Sequence, residues 1–326
     1  MSSSGSSNFV VTRDQLITDA LLHINAIGVG ETPSANAVTE AARLLNMLVK
    51  LRAADGMPLW ALKRATILPT TEVSSINTTS HVVSSYVSTT LGAAEASGQT
   101  ILTVTSSTGM NANDEVGIEI DDGTMHWTSI STVDSATQIT VLVALDGAAG
   151  SGNRVLAYTA STARIGRPLR VLDANILELT NSSSWEIDVE ERKDYFNLSN
   201  RTTAGIPNRV YYEATLGGST ADPTSSSQWY GTFYLYPRFE NGDHVVEFTY
   251  HRPFQDFDAA GDHPDFPQEF YLPIMLELAA LSGSRYGVPM DERKALFVEA
   301  KMYREEALST VYEEGSIRIQ PDDENA

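Results

Sequence analysis

YHRPFQDFDAAGDHPDFPQEFYLPIMLELAALSGSRYGVP, residues 250–289, carries three kinds of local order in succession. Tyr250 closes an alternating apolar run from Val245, which reads as a strand. Four aspartates then intersperse with Phe254, Phe257 and Phe266 in a turn stiffened by prolines. From about Pro267 to Tyr286 the chain turns almost wholly apolar at helical length, and Gly287 closes it with the residue best able to take a left-handed conformation. Pro273 lacks an amide hydrogen, so it either kinks this helix or marks its first turn. Glu277 is the only charge between Leu272 and Leu281, and that run is too short to span a bilayer.

The acidic turn invites a calcium reading. Asp256, Asp258, Gly261 and Asp262 faintly follow a calcium loop, but Pro267 stands where a bidentate Glu is needed. The turn therefore reads as one whose aromatics anchor it and whose acids face water. No other chemistry is better supported. The histidines are scattered: His244 and His251, seven apart on one strand, point to opposite faces, and His126 has no ligand partner at helical spacing. Ser151 and Ser282 neighbour glycines, but no G-x-S-x-G elbow is present. There is no P-loop and no dinucleotide fingerprint. With 42 acids in the chain, some pair must lie at a glycosidase-like separation, so such a pair carries no weight. The sequence predicts no catalytic residue, no cofactor and no metal.

Outward from this stretch, a second helix is expected from about Asp291 to Glu314. At the other end, Thr12 and Gln15 form a capping box for a helix over 9–26, with Leu16, Ile17, Ala20, Leu21 and Ile24 on one side. Ser34 caps another helix, whose stripe runs from Ala37 to Val49 and stops at Asp55-Gly56. Neither N-terminal helix buries its stripe alone. Between these ends the composition changes. Residues 70–108 hold 19 Ser or Thr among 39, which favours strands and turns. Strands are expected over 100–105, 115–120, 124–130, 138–145 and 154–159, with Asp121-Asp122-Gly123 as a hairpin turn. Further strands read at 170–172, 185–189, 209–216, 229–236 and 245–250, with a long hairpin tip over 214–228.

The expected fold class is α+β: a helical bundle from the N- and C-terminal helices, with a β-rich part and an inserted small β-module. The expected divisions are a flexible arm 1–8, a helical hairpin 9–69, the inserted module 70–160, a β-rich part 161–266, C-terminal helices 267–314 and an extended tail 315–326. A chain of 326 residues exceeds one ordinary core. It has no cysteine, which excludes thiolate chemistry and disulfides. MSSSGSSN lacks the basic and apolar regions of a signal peptide. The net charge of −20 disfavours a DNA reader, and the last quarter is the most acidic, with 19 Asp or Glu against 7 Lys or Arg from Glu240 onward. Arg164, Arg167 and Arg170 are the densest basic spot, and in so acidic a chain they read as a salt bridge to another copy. Tyrosine and tryptophan clusters, such as Tyr211-Tyr212 and 229–236, suit either a β-core or a protein interface.

Two stretches carry a resemblance. RDQLITDALLHINAIGVGETPSANAVTEAARLLNMLVKLRAADGMPLWA, residues 13–61, resembles the N-terminal helical hairpin of podophage head-to-tail adaptors, also called packaged-DNA stabilisation proteins or tail accessory factors and related to tail tubular protein A. The matching features are the glycine-rich break with Glu31-Thr32-Pro33-Ser34, the leucine stripe, and Asp55-Gly56 followed by Leu59-Trp60. LYPRFENGDHVVEFTYHRPFQDFDAAGDHPDFPQEFYLPIMLELAALSGSRYGVP, residues 235–289, is similar to the family's strand, acidic turn and first C-terminal helix. The resemblance implies a non-enzymatic virion protein made in the host cytoplasm and placed at the head–tail junction, in a ring of about twelve copies under the portal. Its implied partners are the portal protein, the tail nozzle or hub, and fibre proteins. DNA passes through without sequence-specific binding, and no membrane is involved. Ser316, Ile317, Arg318, Ile319, Gln320 and Pro321 are the portal-contact candidates, in a segment expected to order on binding. Two other classes stay open: a receptor- or fibre-facing binding protein, on the Ser/Thr-rich β-insert, and a cell-wall or glycan hydrolase, on the abundant acids.

Overall fold

The computed structural model describes residues 9–54, 61–78, 80–214 and 231–309. These fall into two compact units: one from both ends of the chain, up to Ala61 and from Phe254 onward, and one over Leu62–Pro253. The Asp55-Gly56 stop, most of the 214–228 tip and the end of the chain from 310 lie outside the described residues.

The β unit is dominated by an eight-stranded sheet. Its strands are β1 (Leu62–Ile67), β2 (Ser75–Asn77), β3 (Val82–Val83), β10 (Arg170–Glu178), β11 (Ser183–Val189), β13 (Arg209–Glu213), β14 (Thr232–Tyr236) and β16 (His244–His251). Their order is β2-β14-β13-β11-β10-β16-β1-β3, antiparallel except for the β11–β13 pair. The two edges, β2 and β3, are neighbours in sequence. From Asn77 to Val82 the chain reaches at most about 17 Å, so the edges must approach and the sheet curls nearly shut. Ile67, Ile176, Phe233, Leu235 and Phe248 fill its core.

A second, six-stranded sheet forms a half-barrel from β4 (Val87–Thr90), β5 (Ile101–Thr103), β6 (Glu115–Glu119), β7 (Met125–Ser135), β8 (Gln138–Val141) and β9 (Arg154–Tyr158), in the order β4-β9-β6-β7-β8-β5. Its edges are again sequence neighbours. A bridge between Leu91 and Val104, with Gly92 N–H donating to the Thr103 carbonyl at 2.8 Å, ties them together. Leu91, Leu102, Ile118 and Ile139 pack inside. The β6–β7 hairpin turns on Gly123 at φ +86°, and Asp122 accepts the Thr124 amide at 2.8 Å. The two sheets share a small core of Leu68, Val83, Met125, Leu156, Tyr158 and Val245. Short pieces complete the unit: α3 (Ala160–Ala163), α4 (Arg192–Asn197), and the paired β12 (Ala204–Gly205) and β15 (Arg238–Phe239).

The helical unit holds α1 (Arg13–His23), α2 (Ala35–Ala54), α5 (Tyr271–Ser282) and α6 (Met290–Ser309). The capping box is formed: the Thr12 hydroxyl accepts the Gln15 amide, and the Gln15 side chain accepts the Thr12 amide at 2.9 Å. Pro273 sits in the first turn of α5, where no intrahelical donor is lost. Helix α5 is apolar on all sides because it is central: α1, α2 and α6 all pack on it.

The fold class differs from the one expected. The molecule is not organised on a helical bundle with an inserted β-module. Helices hold only 29% of it, and the nearly closed eight-stranded sheet is its main element. The physical reason is long-range pairing. β1 and β16 pair from Leu62↔His251 to Ile67↔Val246, and β2 pairs with β14 through Phe233↔Ile76. Residues 75–77 and 82–83, which lie within the span assigned to the inserted module, are the edges of the large sheet. Helical periodicity is local and visible; pairing across more than 150 residues leaves no local trace.

Candidate functional site

The turn between β16 and α5 rests on its phenyl rings, since Phe254, Phe257, Phe266 and Phe270 are buried. The Asp262 carboxylate accepts the amides of Asp258 at 2.7 Å and Ala259 at 2.6 Å, and these amides hold its carboxyl below the usual range. Asp265 accepts the Gln255 amide at 3.0 Å, and Asp256 faces the Lys50 ammonium at 3.0 Å. The carbonyl of Asp262 in turn accepts the Arg13 amide at 2.8 Å, at the open start of α1. These acids tie off backbone and a lysine. No group of three His, Asp or Glu side chains among the described residues is placed to hold a metal ion.

The lone charge in the apolar run has a specific setting. Glu277 is 1% exposed. Arg52 on α2 donates Nε–H to Oε2 at 2.8 Å and a terminal N–H to Oε1 at 2.9 Å. Arg304 on α6 donates to Oε1 at 3.2 Å. One carboxylate on α5 therefore holds two neighbouring helices, with the bidentate geometry that arginine favours. An acid in such a run signals that it must be paired, but its partners, 225 and 27 residues away, cannot be read from it.

The three arginines of the basic spot each meet a different part of the β unit. The Arg164 guanidinium lies 3.6 Å from Glu115 and 5.9 Å over the Tyr158 ring. Arg167 lies near Tyr212, whose hydroxyl donates to the Pro168 carbonyl at 2.7 Å. Arg170 opens β10 opposite His251. Burial, aided by the Arg170 charge, lowers the His251 imidazole below its ordinary range. His126 is buried, with Nδ1 2.9 Å from Asp146. His244 is buried beside Asn241 and the edge of Trp185. Ser151 Oγ donates to the Gly92 carbonyl at 3.4 Å, and Ser282 is buried in α5. Among the described residues His126 meets a carboxylate, but neither serine is hydrogen-bonded to a histidine or a carboxylate. Ser316, Ile317, Arg318, Ile319, Gln320 and Pro321 lie outside the described residues.

A cluster missed in the sequence lies where the two sheets meet. His81, on the short link between the two edge strands, takes a left-handed φ of 56° and stacks on Trp127 with ring centres 4.0 Å apart. Its Nδ1 lies 3.3 Å from the Tyr158 hydroxyl. Burial, reinforced by the Arg164 charge, lowers its pKa to about 4, so the ring is neutral at pH 7. Trp127 donates Nε1–H to the Pro69 carbonyl at 3.0 Å, and its other side meets Gly117, where a Cβ would come within 2.7 Å of the indole. A cleft of about 280 Å³ opens beside it, lined by Glu72, Ser75, Asn77 and Ser80. Trp127 is half-buried and packs in the small core shared by the two sheets, which makes the cluster part of how they join. On the far side of the large sheet, Tyr195, Tyr211 and Tyr234 stack beneath Phe196, over which Arg192 and Arg201 sit at 5.4 and 4.8 Å.

The remaining unusual feature is apolar side chains left in water. On α2, Met47 and Leu51 are 60% and 57% exposed; on α6, Val298 and Met302 are 60% and 65% exposed. Long apolar side chains repeated on the outer faces of two helices mark a contact surface more readily than isolated exposed ones do. No protein-family model matches this chain, and no curated protein matches it.

Proposed function

We propose that this chain is a structural subunit of a phage head–tail junction: an adaptor that forms a ring under the portal, closes the packaged head, continues the DNA channel and gives the tail proteins their docking platform. The observation that carries the reading is that residues 13–61 and 254–289 of the two stretches resembling the adaptor family fall in one helical unit, while 235–253 belong to the β unit, and that the helical unit keeps apolar side chains on its outer faces. A subunit that stands between neighbours needs such faces; a self-contained enzyme does not. The acidic balance fits the same role, because a passage lined by like charge lets DNA slide without adhering. In this proposal Ser316–Pro321 engages the portal as an added extended segment, and ring multiplicity raises the effective concentration of each weak contact.

The test is electron microscopy of the purified chain mixed with its portal protein. The expected result is ring density beneath the portal, and a chain truncated after Gly315 should keep its fold while losing most of that density. A truncated chain that still builds a full ring would remove the portal role from Ser316–Pro321. Absence of any portal complex with the full chain would overturn the adaptor reading itself.

A further inference from the structure

Helices α2 and α6 both turn their inner faces to α5. On α2 the inward side carries Ala41, Leu45, Leu48 and Val49, all buried; on α6 it carries Ala300 and Ala307. At 100° per residue, the opposite side of α2 carries Arg43, Met47, Lys50 and Leu51, and that of α6 carries Ala295, Val298, Met302 and Glu306. Each outer face thus offers two long apolar side chains four residues apart, which is about 6 Å along the axis. The spacing is the same on both helices, so the row on one can seat in the grooves of the other.

Their charges differ. Beside Met47 and Leu51 stand Arg43 and Lys50. Lys50 is answered by Asp256, and Glu40 by Arg285, while Arg43 makes no ion pair within the described residues. Beside Val298 and Met302 stand Glu299, Glu305 and Glu306. Only Glu305 has a partner on its own helix, Lys301 at 3.7 Å, and Glu299 and Glu306 make no ion pair within the described residues. One apolar face therefore has a spare cation at its rim and the other has spare anions.

We infer that the α2 outer face of one copy of this chain docks on the α6 outer face of the next, with Met47 and Leu51 against Val298 and Met302, and Arg43 against Glu299 or Glu306. The contact joins two different faces, so it leaves a free α2 face at one end and a free α6 face at the other. Such a heterologous contact propagates, and it closes into a ring when the rotation allows. A symmetric pairing of α6 with α6 would set the unpaired Glu299 and Glu306 of both copies against each other, which costs free energy. The inference deepens the adaptor reading and rests on its premise that copies of this chain assemble.

The absence of cysteine makes the test direct. Met47→Cys and Met302→Cys variants are prepared separately, mixed at high protein concentration and exposed to a short thiol-to-thiol cross-linker. A cross-linked dimer that appears in the mixture and not in either variant alone is expected, and a double variant should give a ladder of higher species. Val298→Asp placed on the Met302→Cys chain should cut the yield about tenfold or more, because it sets a charge inside an apolar contact. Arg43→Glu on one chain should also cut it, and Glu299→Lys with Glu306→Lys on the other should restore it.

A Met302→Cys dimer formed by that variant alone would overturn the inference in favour of a symmetric contact. A Met302→Cys chain whose thiol does not react with a small thiol reagent in the dilute monomer would also overturn it, by showing that the chain's own residues cover the stripe. If wild-type chain forms rings with portal yet the mixed pair never cross-links in those rings, the contact is wrong and the adaptor reading stands. If the chain neither cross-links nor assembles with portal, both fail.

Discussion

In the β unit, Leu91, Ile118, Phe233 and Phe248 lie inside, the buried carboxylate of Asp114 accepts the Asn111 amide and the Thr159 hydroxyl, and Leu142 and Val143, just past β8, are exposed. The helical unit differs in how its buried acid is answered and in how its exposed apolar groups are spaced. A carboxylate with two guanidiniums is inside, and Met47, Leu51, Val298 and Met302 stand in water. Folding of the isolated chain accounts for the first arrangement. It does not account for the second, since neither a buried ion triad nor exposed methionine favours the fold over a plain apolar core with a polar rim. The difference teaches that the helical unit is shaped by what it must meet as well as by its own stability. The buried charge cluster ties α2 and α6 to α5, and in the assembly proposed above their outer faces meet another copy.

The comparison breaks most sharply at Glu277. Glu277→Gln removes the buried charge that Arg52 and Arg304 share, while both arginine side chains stay 22% exposed. The expected loss is about 3 to 5 kcal/mol, confined to the helical unit. Circular dichroism at the helix band during urea unfolding should show an early transition in the variant, while the fluorescence of Trp127 and Trp185 in the β unit reports a later one. Both signals moving together by the same amount would mean that the two units unfold as one, and that the contrast drawn between them has no energetic content.

The β unit has a half-buried titratable group of its own, and it should give the next largest effect. The native His81 ring refuses a proton until about pH 4, whereas the unfolded chain takes one near pH 6.5. Between those values the unfolded state binds more protons, so this contribution is fully present above pH 6.5 and is lost as pH falls to about 4. The loss is at most about 3 kcal/mol. His81→Asn keeps a residue tolerant of the left-handed φ and should flatten the slope of urea midpoint against pH over that window. An unchanged slope would show that His81 is not the group that titrates.

What was legible in the sequence follows the range of the interactions. The capping box at Thr12 and Gln15 and the Asp121-Asp122-Gly123 turn are made by neighbours within a few residues, and they could be read directly. The nearly closed sheet could not be read, because it depends on β1 finding β16 and β2 finding β14. The weight of helical periodicity at both ends then pulled the fold class toward a bundle. Of the candidate surface, Glu277 was visible as a misfit and nothing more. Met47 and Met302 read as ordinary members of amphipathic helices, since their exposure is decided by how α2 and α6 turn on α5. His81 gave no signal at all: its strain and its indole partner exist only where two sheets meet.

The smallest expected effect on stability sharpens the comparison furthest. Met302 makes few contacts within its own chain, so Met302→Asp should shift the urea midpoint of the monomer by no more than about 0.5 kcal/mol. An exposed acid near the middle of α6 meets Glu299 and Glu306 at neighbouring positions, and that repulsion sets the sign as slightly destabilising. In contrast, Phe248→Ala on the buried side of β16 should cost about 3 to 5 kcal/mol through the cavity it leaves. The two substitutions remove apolar side chains of comparable length, so their ratio measures how much each unit relies on its own apolar groups. If Met302→Asp proved as costly as Phe248→Ala, its side chain would belong to the core of the single chain, and the outer face of α6 would have nothing left to offer a neighbour.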